Sequence, residues 1–309
     1  MLRALASLVP QAGQEAHGAE EVWTSEQLIH HLADERTIGF PPFFEFTFPQ
    51  LPVLHLGPLT IDPTPTKHVV FLVLGAVLTA LSMIYVARVT VRRDPGREAP
   101  SGFANLVEAF VVFLRDEVAL RNIGHGGERY VPYVLTLFFF ILYCNLLGLV
   151  PWGATATANI AVTGALAFLS LVVIEVSGFQ TLGARGYLRT IVFVPEGVPV
   201  WLKPFMVVLM IPVEILGKLA KPFALAVRLF ANMTAGHAVL LALVGLILTY
   251  GALVTAPGLS AKAIGAVAIV GPILLALFVM VLEIFVALLQ AFIFALLTAV
   301  FIGLIRHAH

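Results

Sequence analysis

Eight polar side chains near the end of this 309-residue chain lie in surroundings that are otherwise almost wholly apolar. They are Glu214, Lys218, Lys221, Arg228, Asn232, His237, Glu283 and Gln290. An ionised group at mid-bilayer costs roughly 2.5–3.5 kcal/mol on insertion scales, so such residues point to function. The first five are separated by 4, 3, 7 and 4 positions. At 100° per residue they form one stripe about 27 Å long on a helix. Glu214 precedes Lys218 by four, the favourable order for an ion pair. Neutralisation and snorkelling therefore account for Lys218 and Lys221. They do not account for Arg228, which has no acid within four residues. A guanidinium stays protonated at any accessible pH, so Arg228 needs a carboxylate from elsewhere.

His237 lies nine residues after Arg228, on the opposite side of the helix, while Glu283 and Gln290 are seven apart and share a face. If the two segments form an antiparallel hairpin, Arg228 opposite Gln290 centres the turn on residue 259. His237 opposite Glu283 centres it on 260. Both centres fall within Pro257–Lys262, a turn also indicated by Pro257, Gly258 and Ser260. The polar groups then form two levels, Arg/Gln and His/Glu. Because Arg228 and His237 oppose each other, one level faces a partner and the other the helix interior. Two unrelated polar residues, each satisfied within the bundle, would leave the same pattern. The chemistry on offer is proton exchange, since His has an ordinary pKa of about 6.5 and Glu is a second exchangeable acid. A fixed cation between two aqueous half-paths would attract an ionised carboxylate, strip the proton from a passing acid and block a direct leak. Moving one charge across 100 mV is worth about 2.3 kcal/mol.

The elements that must hold these groups are membrane helices. Charged residues make up 12% of the chain, against roughly 25% in soluble domains, and mean hydropathy is +0.98. This excludes a soluble enzyme and a disordered protein. The net charge of +0 gives no reason to expect nucleic acid, and the single Cys144 excludes an internal disulfide or zinc knuckle. About 20 apolar residues cross a bilayer. The expected spans are 69–87, 131–151, 159–178, 205–250 and 263–305, the last two forming a long tilted antiparallel hairpin. Seven short helices would need turns inside both long segments. Gly271-Pro272 is the one good candidate, and a kink explains it as well. The fold class is an all-α polytopic membrane protein. Its expected divisions are an extracytoplasmic segment 1–66, a first span with an amphipathic helix at 67–130, and a membrane domain 131–309 carrying the hairpin 203–306.

Thr24 and Gln27 begin a capping box for a short helix near 25–35, and 40–65 reads as extended and interfacial. His17, His30 and His31 could bind a metal, but no third ligand is spaced to join them, and solvated histidines are the plainer reading. Phe103, Leu106, Val107, Phe110, Val111 and Leu114 recur at helical spacing with Glu108, Arg115 and Asp116 off the stripe, which predicts an amphipathic helix on the cytoplasmic surface. Lys and Arg crowd 88–129 and 185–203, including Arg92, Arg93 and Arg97, while 152–158 has none and 251–262 only Lys262. That asymmetry places the N-terminus outside and the C-terminus in the cytoplasm.

The stretch Lys221-Pro-Phe-Ala-Leu-Ala-Val-Arg228-Leu-Phe-Ala-Asn232-Met-Thr-Ala-Gly-His237 resembles the signature helix of subunit a of the F-type ATP synthase. Leu289-Gln290-Ala-Phe-Ile-Phe-Ala-Leu-Leu-Thr298 resembles that family's last helix. Asn145-Leu-Leu-Gly-Leu-Val-Pro151 with Thr157-Ala-Asn159 resembles its second-to-third span junction. The resemblance covers about 65–306. It implies a stator beside a rotating c-subunit ring, with b subunits of the peripheral stalk, other ATP synthase subunits, lipid and protons as partners. It implies no nucleic acid, cofactor or metal and no catalysis by this chain alone. Arg228 would meet each ring carboxylate, with Gln290 and Asn232 beside it. Glu214 would be the acid of the cytoplasmic half-channel, and His237 with Glu283 would line the outer one, in the arrangement of the mitochondrial type. Glu175, Lys221 and Asn159 are weaker candidates. Where many relatives carry an acid before the Asn, this chain has Ala158, so no outer-channel acid is carried over there.

Two other readings compete. A stand-alone secondary transporter or ion channel would use the buried charges as substrate counter-charges, although no internal repeat supports it. An assembly factor would use them only to hold helices together. The sequence has no Gly-rich phosphate loop. The acids Glu15, Glu20, Glu21, Glu26 and Asp34 are unlike a transit peptide, which points to a bacterial inner membrane.

Overall fold

A computed structural model describes residues 37–40, 44–50, 52, 54–56, 59–61, 64–91, 102–150, 153, 155–191, 199 and 201–307. The helix expected near 25–35, His17, His30, His31, Arg92, Arg93, Arg97 and the Pro151–Trp152 corner lie outside the described residues. The extended backbone expected over 40–65 is paired. Strand β1 (Thr37–Phe40) runs antiparallel to β2 (Phe44–Thr47), and β3 (Leu54–Leu56) to β4 (Leu59–Ile61). Thr37 faces Thr47, and Leu54 faces Ile61.

The rest is helical: α1 (Lys67–Val91), α2 (Phe103–Phe113), α3 (Val131–Gly148), α4 (Ile160–Ile191), α5 (Lys203–Thr255), α6 (Leu259–Ala268) and α7 (Val270–Arg306). Among the described residues five stretches are long and apolar enough to cross a membrane: 67–85, 127–148, 160–191, 203–255 and 259–306, which match the five expected spans. Helix α4 runs further than the span 159–178, because it continues through polar residues past a break at Gly183 (φ 67°, ψ 172°). That positive φ is one a side chain would strain. Between residues 203 and 237 alone, α5 is longer than the ~30 Å hydrocarbon core at ~1.5 Å per residue.

One compact unit comprises 34–237 and 279–309. Its core carries a four-residue repeat on α7, Ala287, Ala291, Ala295 and Ala299, all fully buried, continued by buried Gly303. Small residues at this spacing let helix backbones approach closely. Asn145 on α3 donates from Nδ2 to the Ala287 carbonyl (3.4 Å), and a Cβ on Gly303 would overlap the Asn122 carbonyl oxygen. Phe138, Ile141, Leu229, Phe294 and Ile302 fill the spaces between. Gly75 lets α1 pass α3, since a Cβ there would come within 2.7 Å of Cys144 Sγ.

Helix α2 continues as a widened π turn over Leu114–Leu120 and a short turn Arg121–Ile123. The wider spacing keeps Leu114 and Ala119, five apart, on the buried side together. Two expectations for this helix need correction. Leu106 is 57% exposed, and Glu108 is half-buried with its Oε2 enclosed and unbonded. The seam runs through Ala104, Val107, Leu114 and Val118, and both residues flank it.

Among the described residues the other unit is 238–278. Its turn holds Gly258 at φ 120°, and a Cβ on Gly265 would come within 2.9 Å of Leu253 Cβ. That contact is symmetric about residue 259. Near Gly271-Pro272 there is no turn: Ile269, between α6 and α7, is helical (φ −71°, ψ −25°), and its N–H bonds Gly265 O while its carbonyl accepts the Ile273 N–H. Pro272 sits in the first turn of α7, where its missing N–H is not needed.

Candidate functional site

Arg228 and Asn232 are exposed on one side of α5, while Leu225 and Leu229 on the other side are buried. Arg228 makes no hydrogen bond or ion pair with any described residue. Apart from Asn232, the exposed residues around it on the helix are apolar: Phe223 is 70% and Val227 38% exposed, and Ala224 and Ala231 are exposed. A face of this kind suits hydrocarbon or another protein rather than water. The pairing expected between Arg228 and Gln290 is absent. Gln290 is buried beside Ala287, Ala291 and Phe294, and no hydrogen bond joins it to Arg228. The hairpin register brings the two to one level, but their azimuths differ.

The second level is tighter. Glu283, half-buried on α7, rests its carboxylate against α5 at Gly236, where a Cβ would overlap Oε1. That contact is symmetric about residues 259 and 260, the register read from the polar pairs. It sets Glu283 one residue from half-buried His237. The absent side chain of Gly236 leaves the space that the carboxylate takes, so a larger residue there would displace it. The Oγ1 of Thr234, on the preceding turn, is buried and unbonded. Asn145 braces the same stretch of α7 from the far side, binding Ala287 O while its Oδ1 accepts a hydrogen bond from Thr157 Oγ1 (2.7 Å).

Along α5 towards its start, Glu214, Lys218, Lys221 and Pro222 line a cavity of about 140 Å³ with Glu175, Thr190 and Phe301. The expected Glu214–Lys218 pair does not form. Lys218 Nζ lies 3.5 Å from Glu175 Oε2 on α4 and 4.6 Å from the centroid of the Tyr187 ring, and the Tyr187 hydroxyl donates to that same Oε2. A half-buried carboxylate on a neighbouring helix offers Lys218 a better-shielded partner than Glu214 on its own turn. Lys221 is exposed, its Nζ 5.1 Å from the Phe301 ring centroid. Asn159, half-buried, accepts the Ala161 N–H (2.9 Å) with Oδ1 at the start of α4, which makes it an N-cap. No group of three or more metal-ligating side chains occurs among the described residues.

Sequence reasoning missed Tyr187, Gly236 and Asn145 as parts of these sites. Asn145 and Gly236 stand within stretches that resemble the family, but neither was singled out for a role there. Tyr187 carried no signal of its own. The exposed cation, the acid set against a glycine and the acid-lined cavity are strung along one helix pair.

Comparison with known proteins gives the family. The family model described as ATP synthase A chain matches residues 69–303. The chain is 41% identical to ATP synthase subunit a 2 of Chlorobaculum tepidum over 293 residues, covering 95% of this chain and 76% of that one. It is 42% identical to ATP synthase subunit a of Chloroherpeton thalassium over 276 residues (89% and 75%), and 45% identical to that of Myxococcus xanthus over 246 (79% and 73%). A membrane-helix hairpin with these intramembrane groups and these relatives belongs to the ATP synthase A chain family.

Proposed function

We propose that this chain is the proton-path stator of a proton-translocating F-type ATP synthase, working against a ring of c subunits. The observation that carries the reading is Arg228, a permanent cation on an exposed, largely apolar face with no counter-ion among the described residues. An ion left so in a membrane is costly, and a carboxylate supplied by another chain offsets that cost. Each ring carboxylate would arrive protonated, lose its proton as Arg228 stabilises the ionised form, and be reprotonated from the other half-path. Arg228 itself, unable to release a proton, separates the two paths. Asn232 lies one turn further along the same exposed face.

Glu283 and His237 line the outer half-path, where Gly236 fixes the carboxylate against α5. Glu214 and its cavity form the cytoplasmic one. The basic loops of the 88–129 and 185–203 regions lie in the cytoplasm of a bacterial cell, with the N-terminus outside and the C-terminus inside. The chain catalyses nothing alone and takes no cofactor. Its partners are the ring, the b subunits and the other synthase subunits.

The test is Arg228→Ala in the assembled complex in energised vesicles. Proton-driven ATP synthesis is expected to vanish while the ring still co-purifies. Synthesis at the native rate would overturn the reading, and so would solute flux through the purified chain alone in liposomes.

A further inference from the structure

Glu175, Tyr187 and Lys218 form a closed group at the wall of the Glu214 cavity. The Lys218 ammonium is held from two sides, by Glu175 Oε2 at 3.5 Å and by the Tyr187 ring at 4.6 Å, and the tyrosine hydroxyl donates to the same carboxylate oxygen. The Lys218 and Glu175 side chains are 16% and 24% exposed. The group depends on a bend. On a straight helix residues 175 and 187 would be about 18 Å apart along the axis, too far for a tyrosine to span. The left-handed Gly183 breaks α4 between them and turns Tyr187 back.

Glu214, four residues before Lys218, lines the same cavity and has no ion-pair partner among the described residues. Lys218 therefore has two carboxylates to choose from, one along its own helix and one across the cavity. A fixed ammonium bound to an acid holds that acid ionised. An acid that must bind and release a proton on every passage is slowed by such a neighbour. Resting on the reading that Glu214 carries protons, we propose that Glu175 is a positioning residue: with Tyr187 it holds Lys218 away from Glu214, and this leaves Glu214 free to exchange protons. Glu175 itself then carries no proton in the cycle. The pairing of lysine with a distant acid instead of the near one is the feature a merely neutralising pair would not need.

The experiment compares ATP-driven proton pumping in vesicles holding the assembled complex, normalised to the amount of assembled complex. In Glu175→Gln the lysine has only Glu214 left to pair with, and pumping is expected to fall on the order of tenfold, the factor that one unit of acid strength supplies. In Glu175→Gln/Lys218→Met the captured cation is gone, and pumping recovers to within about twofold of native. Glu175→Asp, which keeps the charge, retains most of the activity. A Glu175→Gln variant that pumps normally overturns the proposal. So does a double variant as slow as the single one, since that marks Glu175 as a proton carrier or as support for the fold. Glu214→Gln serves as the separate control: native pumping there would overturn the assignment of this cavity to the proton path, and the clamp with it, whatever the Glu175 variants do.

Discussion

Lys218 and Arg228 are cations ten residues apart on α5, and their surroundings are opposite in kind. Lys218 is enclosed by groups of its own chain, with an acid from α4 and an aromatic face beyond a helix break. Arg228 is exposed among largely apolar side chains and has no partner among the described residues. The lysine site is complete; the arginine has no counter-ion among the described residues, and under the proposed function another chain supplies it. The difference supplies a rule for this protein. Under the proposed function, a charged group satisfied within the chain belongs to the scaffold, and an exposed one left without a partner among the described residues meets one from another chain.

The sharpest way to break the comparison is to make Arg228 resemble Lys218. Ala224 is exposed one turn before it. Ala224→Glu places an acid at i,i+4, where in low dielectric it would hold the guanidinium far more firmly than at a water-exposed surface. Proton-driven ATP synthesis in assembled complexes is expected to fall on the order of a hundredfold or more. Near-native synthesis would show that Arg228 does not depend on an acid supplied by another chain.

The next effect is at Glu283. Losing a proton-exchanging side chain typically costs on the order of a hundredfold. Glu283→Gln should lower proton flux by about that factor while leaving the hairpin folded, because the amide still fits against Gly236. Flux unchanged in complexes of native stability would remove Glu283 from the path.

Much of this arrangement was legible before any coordinates. The hairpin register followed from two polar pairs and a turn, and Gly236 against Glu283 and Leu253 against Gly265 obey it. It was legible because an antiparallel hairpin has one free parameter, and polar residues in apolar helices mark it. Azimuth was not legible. Arg228 and Gln290 share a level, yet Gln290 turns inward along the Ala287–Ala299 repeat and Arg228 turns outward. Nor was the partner of Lys218. Sequence shows neighbours one helical turn apart, and Glu175 is 43 residues away, completed by a tyrosine that only the bend at Gly183 brings into reach. The strand pairing of 37–61 was missed because a Pro- and Phe-rich stretch reads as extended without showing which segments meet.

A smaller effect sharpens the geometry at the Glu283 level. Gly236→Ala puts a methyl group where the carboxylate now lies, and the side chain must swing away. Proton flux is expected to fall about tenfold, less than in Glu283→Gln, because the acid is displaced rather than lost. Pairing Gly236→Ala with the shorter Glu283→Asp should recover part of the loss. Two losses that simply multiply would show that the glycine serves the backbone alone. By contrast Gly303→Ala, where the obstacle is the Asn122 carbonyl, should act on stability by about 1–3 kcal/mol, read as a lowered unfolding temperature, with flux per surviving complex unchanged.

The smallest effect tests the rule itself. The resemblance nominated Asn159 for the proton path, yet its Oδ1 caps α4 by accepting the Ala161 N–H, and its own carbonyl accepts Val162 and Thr163 N–H groups. A polar group satisfied in this way belongs, by the comparison of Lys218 with Arg228, to the scaffold. Asn159→Asp keeps an acceptor at the cap and adds a negative charge at a helix N-terminus, which the helix dipole favours. Asn159→Ala removes the acceptor and should cost about 1 kcal/mol. The unfolding temperature is therefore expected to drop for Ala and hold for Asp, with proton flux per assembled complex unchanged in both. If flux falls in Asn159→Ala at native stability, a group already bonded within its own chain also serves the path, and in-chain satisfaction no longer separates scaffold from site in this protein.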